Sequence, residues 1–141
     1  MTCPLCSRGG GEVLWQDAFC RVVLADEADY PGFCRVILNA HVKEMTELDA
    51  AARTQLMDVV YAVELSLREL LQPDKINLAS LGNVVPHLHW HVIPRFLDDA
   101  HFPDAVWAAP RRTGRQHTVD HLRENLATAL RQRLSARPET V

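Results

Sequence analysis

His87-Leu88-His89-Trp90-His91-Val92-Ile93 decides how the rest of the chain is read. Three of the seven histidines fall at alternate positions, with apolar residues between and after them. A β-strand sends successive side chains to opposite faces. On a strand, His87, His89 and His91 therefore share one face, and Leu88, Trp90 and Val92 share the other. One face packs on a core; the other presents three imidazoles in a row. The strand is expected from about Val85 to Ile93, with Pro94 closing it because proline removes a ladder donor.

Working outward, Lys75–Leu81 alternates apolar and polar residues and predicts a preceding strand, with Gly82-Asn83 as the turn. Upstream, Leu48, Ala52, Leu56, Val59, Val60, Val63, Leu67, Leu70 and Leu71 recur at three- and four-residue spacing. That is an amphipathic helix of about six turns, started by Thr46 as N-cap with Glu47 and Asp49 near its positive end, and ended before Pro73. Glu12–Trp15, Cys20–Ala25 and Phe33–Leu38 are strand candidates. Their connections, including the acidic loop Asp26–Gly32, are too short for crossover helices, which predicts an antiparallel meander. Residues 7–11 read as a flexible turn and 98–115 as a loop without a period. A last helix over about 118–134 carries Leu122, Leu126, Ala129, Leu130 and Leu134 on one side, and Arg137-Pro138 begins a frayed tail.

A chain of 141 residues has room for one domain with a real core. The expectation is a single α+β domain over residues 1–141: a five-stranded antiparallel sheet, one long helix and a C-terminal helix. The core lies in about 1–107, and 108–141 form an arginine-rich helical extension. Net charge is −3 but uneven: residues 1–107 hold eight basic and fifteen acidic side chains, residues 108–141 seven and three. The tail arginines read foremost as a solvated helix face. That balance argues against a nucleic-acid polymer as main ligand. No apolar run is long enough for a membrane span, and the N-terminus lacks a secretory signal, so a cytoplasmic protein is expected. Cys20 and Cys34 sit in apolar strands and read as small buried hydrophobes.

Three alternating imidazoles allow three readings: a polar strand face, metal ligands, or covalent catalysis. In the last, a neutral ring attacks an α-phosphorus while its second nitrogen donates to an acceptor behind it. The His-φ-His-φ-His-φ-φ pattern resembles the signature of the histidine triad (HIT) nucleotide hydrolases. The resemblance extends to Gly82-Asn83, where relatives often have Gly-Gln, and to Pro31-Gly32, a strand and then His41. It covers about residues 1–107 and implies the HIT-like fold.

That resemblance implies a hydrolase or nucleotidyl transferase acting at the α-phosphate of nucleoside phosphoramidates or dinucleoside polyphosphates through a nucleotidyl-histidine. His89 would be the nucleophile, His91 would bond a phosphate oxygen or the leaving group, and His87 would support them. Asn83 would meet phosphate, one carbon shorter than Gln. Asp26 would accept the ribose hydroxyls, unless it is an ordinary solvated loop residue. Asn77 faces the site or is a satisfied structural amide. The implied partner is a purine nucleotide, and the implied assembly a homodimer, with Trp107 and the C-terminal helix as candidate contacts. No organic cofactor is expected. A non-catalytic nucleotide-binding or scaffold module, and a zinc hydrolase with the triad as ligands, stay as alternatives.

Cys3-Pro4-Leu5-Cys6 on its own is a redox pair, half a tetrahedral zinc site or chance. The chain resembles bacterial relatives that join such a pair to the histidine after the second strand of the resemblance and to the first triad histidine. The implied set is Cys3, Cys6, His41 and His87 around a structural zinc.

Overall fold

The computed structural model describes residues 3–7 and 10–135. The proposed tail at Arg137-Pro138 and two residues of the turn at 7–11 lie outside them. A short helix α1 (Pro4–Ser7) leads into β1 (Glu12–Gln16), β2 (Cys20–Leu24) and β3 (Cys34–Leu38). A 3₁₀ turn (Met45–Glu47) precedes α2 (Ala50–Leu71), which is followed by β4 (Lys75–Ala79), β5 (His89–Arg95) and α3 (Leu122–Leu134). All neighbouring strands are antiparallel, in the order β1-β2-β3-β5-β4. The fold is the expected α+β one: a five-stranded antiparallel sheet, one long helix and a C-terminal helix.

The alternation read from the histidine stretch carries across the whole sheet. Cys20 and Val22, Cys34, Val36 and Leu38, and Leu88 and Val92 are buried in one core, and Trp90 packs against it. They meet Leu56, Val59, Val60, Val63 and Leu67 of α2, and Leu122, Leu126, Leu130 and Leu134 of α3. Each such aliphatic side chain gains roughly 1.5–3 kcal/mol on burial, so this layer is where the chain gains most of its cohesion. The opposite face carries the odd-numbered residues of β2, β3 and β5, among them Arg21, Arg35, His89, His91 and Arg95. Gly32 lets the loop before β3 pass close under α2. A Cβ there would stand 2.6 Å from Leu71 Cδ1 and 3.1 Å from Pro94 Cγ.

Five boundaries differ from the sequence expectation. The N-cap of α2 is Asp49, whose side chain accepts from the Ala52 amide at 2.8 Å; Thr46 is taken up by the 3₁₀ turn. β5 starts at His89, so His87 precedes the strand, held by Val85 rather than by a ladder. Pro94 does not end β5, which continues to Arg95. β3 stops at Cys34 opposite Val92, so beyond that point β5 is flanked by β4 alone, and Pro94 pairs there with Ile76. β4 ends at Ala79 rather than Leu81, and α3 starts at Leu122 rather than near Thr118. Among the described residues, no helix is long and apolar enough to cross a membrane.

Candidate functional site

The histidine row divides into two environments. At its start, His87 is fully buried, and its Nδ1 lies 3.4 Å from Cys3 Sγ, 3.4 Å from Cys6 Sγ and 3.2 Å from His41 Nδ1. Cys6 Sγ in turn lies 3.2 Å from His41 Nδ1. The four ligand atoms all lie within 4.8 Å of one another. Zinc–nitrogen and zinc–sulfur bonds of about 2.0 and 2.3 Å in a tetrahedron put ligand atoms about 3.3–3.8 Å apart, so the set fits a closed tetrahedral ion. His87 Nε2 donates to the Leu38 carbonyl at 2.6 Å. This fixes Nδ1 as the unprotonated, ligand-facing nitrogen, the outer-shell contact typical of a metal-bound imidazole. The cluster Cys3, Cys6, His41 and His87 is thus capable of coordinating a metal ion, with structural zinc the match for its two thiolates and two imidazoles. His89 and His91 are not in the set.

Charges around the cluster suit that use. Burial works against the Cys3 thiolate, but backbone hydrogen bonds from Cys6 and Leu5 outweigh it and lower the thiol's pKa. Burial and the neighbouring Cys3 thiolate raise that of Cys6. Burial lowers the pKa of His87, keeping the ring neutral as a ligand must be. Arg21 lies on this side of the sheet, donating to the Leu5 carbonyl at 2.6 Å and to Asn39 Oδ1 at 3.2 Å.

His89 Nδ1 lies 2.5 Å from the His87 carbonyl oxygen. An oxygen acceptor there requires Nδ1 to carry a proton, so in the neutral ring Nε2 is the nitrogen that holds the lone pair. His91 sits 5.0 Å away ring to ring, enclosed edge-on by Phe33 at 5.5 Å and Trp107 at 5.0 Å. Burial, then the neighbouring His89 and Arg35, push the His91 pKa down to about 4. Its buried Nδ1 has no protein hydrogen-bond partner. Such an atom is costly unless water or a ligand meets it.

Beyond His91 the sheet face is closed by a network that the sequence reading missed. Arg95 and Asp99 are both buried, and their guanidinium and carboxylate meet through Nε–Oδ2 at 2.8 Å and Nη2–Oδ1 at 3.1 Å. Burial alone would raise the pKa of Asp99. The Arg95 guanidinium and the Phe96, His101 and Phe102 amides overwhelm it and hold the carboxyl well below the usual carboxylate range. Arg95 also donates to Asn77 Oδ1 at 2.7 Å and to the Asp104 carbonyl at 2.8 Å. Asn77 thus anchors Arg95 through its Oδ1. The network pins the segment that carries Trp107, which stays 51 % exposed. Asp26 and Asn83, expected at ribose and phosphate, are both exposed at the surface.

Residues 10–98 match the sequence profile described as the HIT domain, 89 of the chain's 141 residues. No curated protein matches the chain. Among solved structures, a histidine triad protein from Bradyrhizobium japonicum is 28% identical, with a TM-score of 0.69, over 87% of this chain and 91% of that one. A histidine triad protein from Marinobacter aquaeolei VT8 is 25% identical, with a TM-score of 0.69, over 90% of each chain. A zinc-bound histidine triad family protein from Mycobacterium smegmatis has the same fold at 21% identity, with a TM-score of 0.66, over 97% of this chain and 99% of that one. With the alternating histidines, the sheet order and the profile agreeing over most of its length, the chain belongs to the HIT-domain family.

Proposed function

We propose that this chain binds a purine nucleotide with the phosphate against His89 and His91, while His87 serves a structural zinc. The carrying observation is the division of the row: one imidazole is consumed by the Cys-His cluster, and two stay outside it, one with a polar atom lacking a protein partner. A solved relative from Sulfolobus tokodaii, 23% identical, carries the name hypothetical histidine triad nucleotide-binding protein, which is in line with this reading. Asp26 and Asn83, exposed after β2 and before β5, would meet ribose and phosphate. The family resemblance adds a homodimer, which sedimentation can count. Calorimetric titration of the zinc-loaded chain with AMP and GMP tests the proposal. Saturable binding that His89→Ala and His91→Ala weaken is expected; no binding of either nucleotide sinks it.

A second reading, hydrolysis or nucleotidyl transfer, rests on the tautomer of His89. With Nδ1–H held by the His87 carbonyl, Nε2 is free to attack an α-phosphorus. The bond to the leaving group breaks with its electron pair staying on that group, which takes up a proton. Water then displaces the histidine and releases the nucleoside monophosphate. The Cys-His cluster closes with four protein ligands and no place for substrate, so zinc belongs to the scaffold in this scheme. His89→Gly should abolish turnover of a phosphoramidate or dinucleoside polyphosphate, while AMP still binds with the weakened affinity expected of His89→Ala. Full turnover by that variant would leave only the binding function.

A further inference from the structure

Three arginines project from the histidine face of the sheet, and they differ in what balances their charge. Arg95 has Asp99 as a bidentate counter-ion. Arg21 lies beside the two cysteines, which as zinc ligands are thiolates, and bonds the Leu5 carbonyl and Asn39. Arg35 stands directly opposite His91 in the β3–β5 ladder, so the two side chains share that face. It is half-buried, donates to the Gly10 carbonyl at 3.0 Å and lies 5.5 Å from the Phe33 ring centroid. Among the described residues, no carboxylate pairs with it. Phe33 is also the ring whose edge meets His91, so guanidinium, aromatic ring and imidazole form one contiguous patch.

A partly desolvated cation without an anion normally has a ligand to supply one. Burial keeps the neighbouring His91 ring neutral, so that ring brings no charge to an anion on this patch. We infer that Arg35 is a substrate-binding residue whose guanidinium meets the phosphate oxygens of the nucleotide, making the patch selective for phosphorylated over neutral ligands. A planar fork of donors matches phosphate oxygens two at a time, which a lysine cannot do. This rests on the nucleotide reading above and adds to it the residue that senses charge.

The test compares AMP, adenosine and inorganic pyrophosphate binding to the zinc-loaded wild-type chain, Arg35→Leu and Arg35→Lys by calorimetry. A charge-assisted hydrogen bond predicts that Arg35→Leu loses AMP and pyrophosphate affinity by about tenfold to a hundredfold. Adenosine affinity and melting temperature should stay unchanged, and Arg35→Lys should recover part of the loss. Equal losses for adenosine and AMP would mean that Arg35 only anchors Gly10, overturning the inference. So would unchanged AMP and pyrophosphate affinity in Arg35→Leu, with the nucleotide reading intact. A wild-type chain that takes up pyrophosphate but not AMP would overturn the nucleotide reading alone, and one that takes up neither would overturn both.

Discussion

The two ends of the histidine row hold the same residue type two positions apart on either side of His89, yet their surroundings make them different chemical objects. His87 is ringed by two thiols and a second imidazole, with its far nitrogen bonded to a carbonyl. His91 is ringed by Phe33, Trp107 and His89, with Arg35 across the ladder and a buried nitrogen lacking a protein partner. Strand periodicity decides which way a side chain points. What it then does is decided by residues far off in sequence: Cys3 and Cys6 before the sheet, Trp107 after it. Three histidines on one sequence pattern therefore make two sites sharing one carbonyl contact, the His87 oxygen that holds the His89 ring.

Each end can be disturbed without the other, and that independence is what experiments should attack. The largest effect is expected at the His91 end. Asp99→Ala leaves the buried Arg95 without its counter-ion and should cost about 3–5 kcal/mol in denaturant unfolding. Trp107 fluorescence should change with it, since the same network holds that segment, while zinc content stays at one per chain. Loss of zinc from this variant would mean that the two ends are coupled.

Metal removal comes next. With free zinc a hundredfold above its Kd, the Cys-His cluster stabilises the fold by about 2.7 kcal/mol. Cys3→Ser with Cys6→Ser should lose the bound metal, measured by atomic emission, and that increment of stability. Added zinc should then leave the melting temperature of the double variant unmoved. A wild-type chain equally stable before and after chelation would remove the structural role of the metal.

Acid should act on the His91 end in a window of its own. The pKa of folded His91, about 4, lies below that of an unfolded histidine, about 6.5, so the unfolded chain binds the proton first. Stability should therefore fall as pH drops from about 6.5 to about 4, by on the order of 1–2 kcal/mol, because the ring borders a solvent-reachable site. His91→Gln should flatten that slope. The depressed carboxyl of Asp99 extends the loss to lower pH, with the same sign, as its stabilising pair with Arg95 is protonated away. A slope unchanged in His91→Gln would assign the acid sensitivity elsewhere.

The smallest effect is the control. Asp49→Ala removes the N-cap of α2 and should cost about 1 kcal/mol without altering metal or nucleotide binding.

Much of this is legible in the sequence alone. Leu88, Trp90 and Val92 reach the helix-covered core as the alternation required, and the period of α2 marked its buried stripe from Leu56 to Leu67. The start of α2 was misread because Thr46 and Asp49 both have cap chemistry. Only the 3₁₀ turn, which consumes Thr46, decides between them. Pro94 was misread because strand position, edge or centre, is a tertiary fact: β3 ends before it and leaves that stretch of β5 with one neighbour. The metal cluster came from resemblance, since Cys3 and His87 are separated by most of the chain. The Arg95–Asp99 network is not legible because Asp99 and Asp104, which meet Arg95, lie in a segment without periodicity. Arg21 and Arg35 did leave a trace, each a lone cation inside an apolar strand, and such a residue asks what anion faces it.

The division of the histidine row is tested most directly by nitrogen-15 NMR of the imidazole rings during stepwise addition of zinc and then AMP. Zinc should move the His87 and His41 ring nitrogens, and AMP should afterwards move those of His89 and His91 while His87 stays still. A His87 ring that responds to AMP as strongly as His89, or His89 and His91 rings that respond to zinc as ligands, would contradict the account.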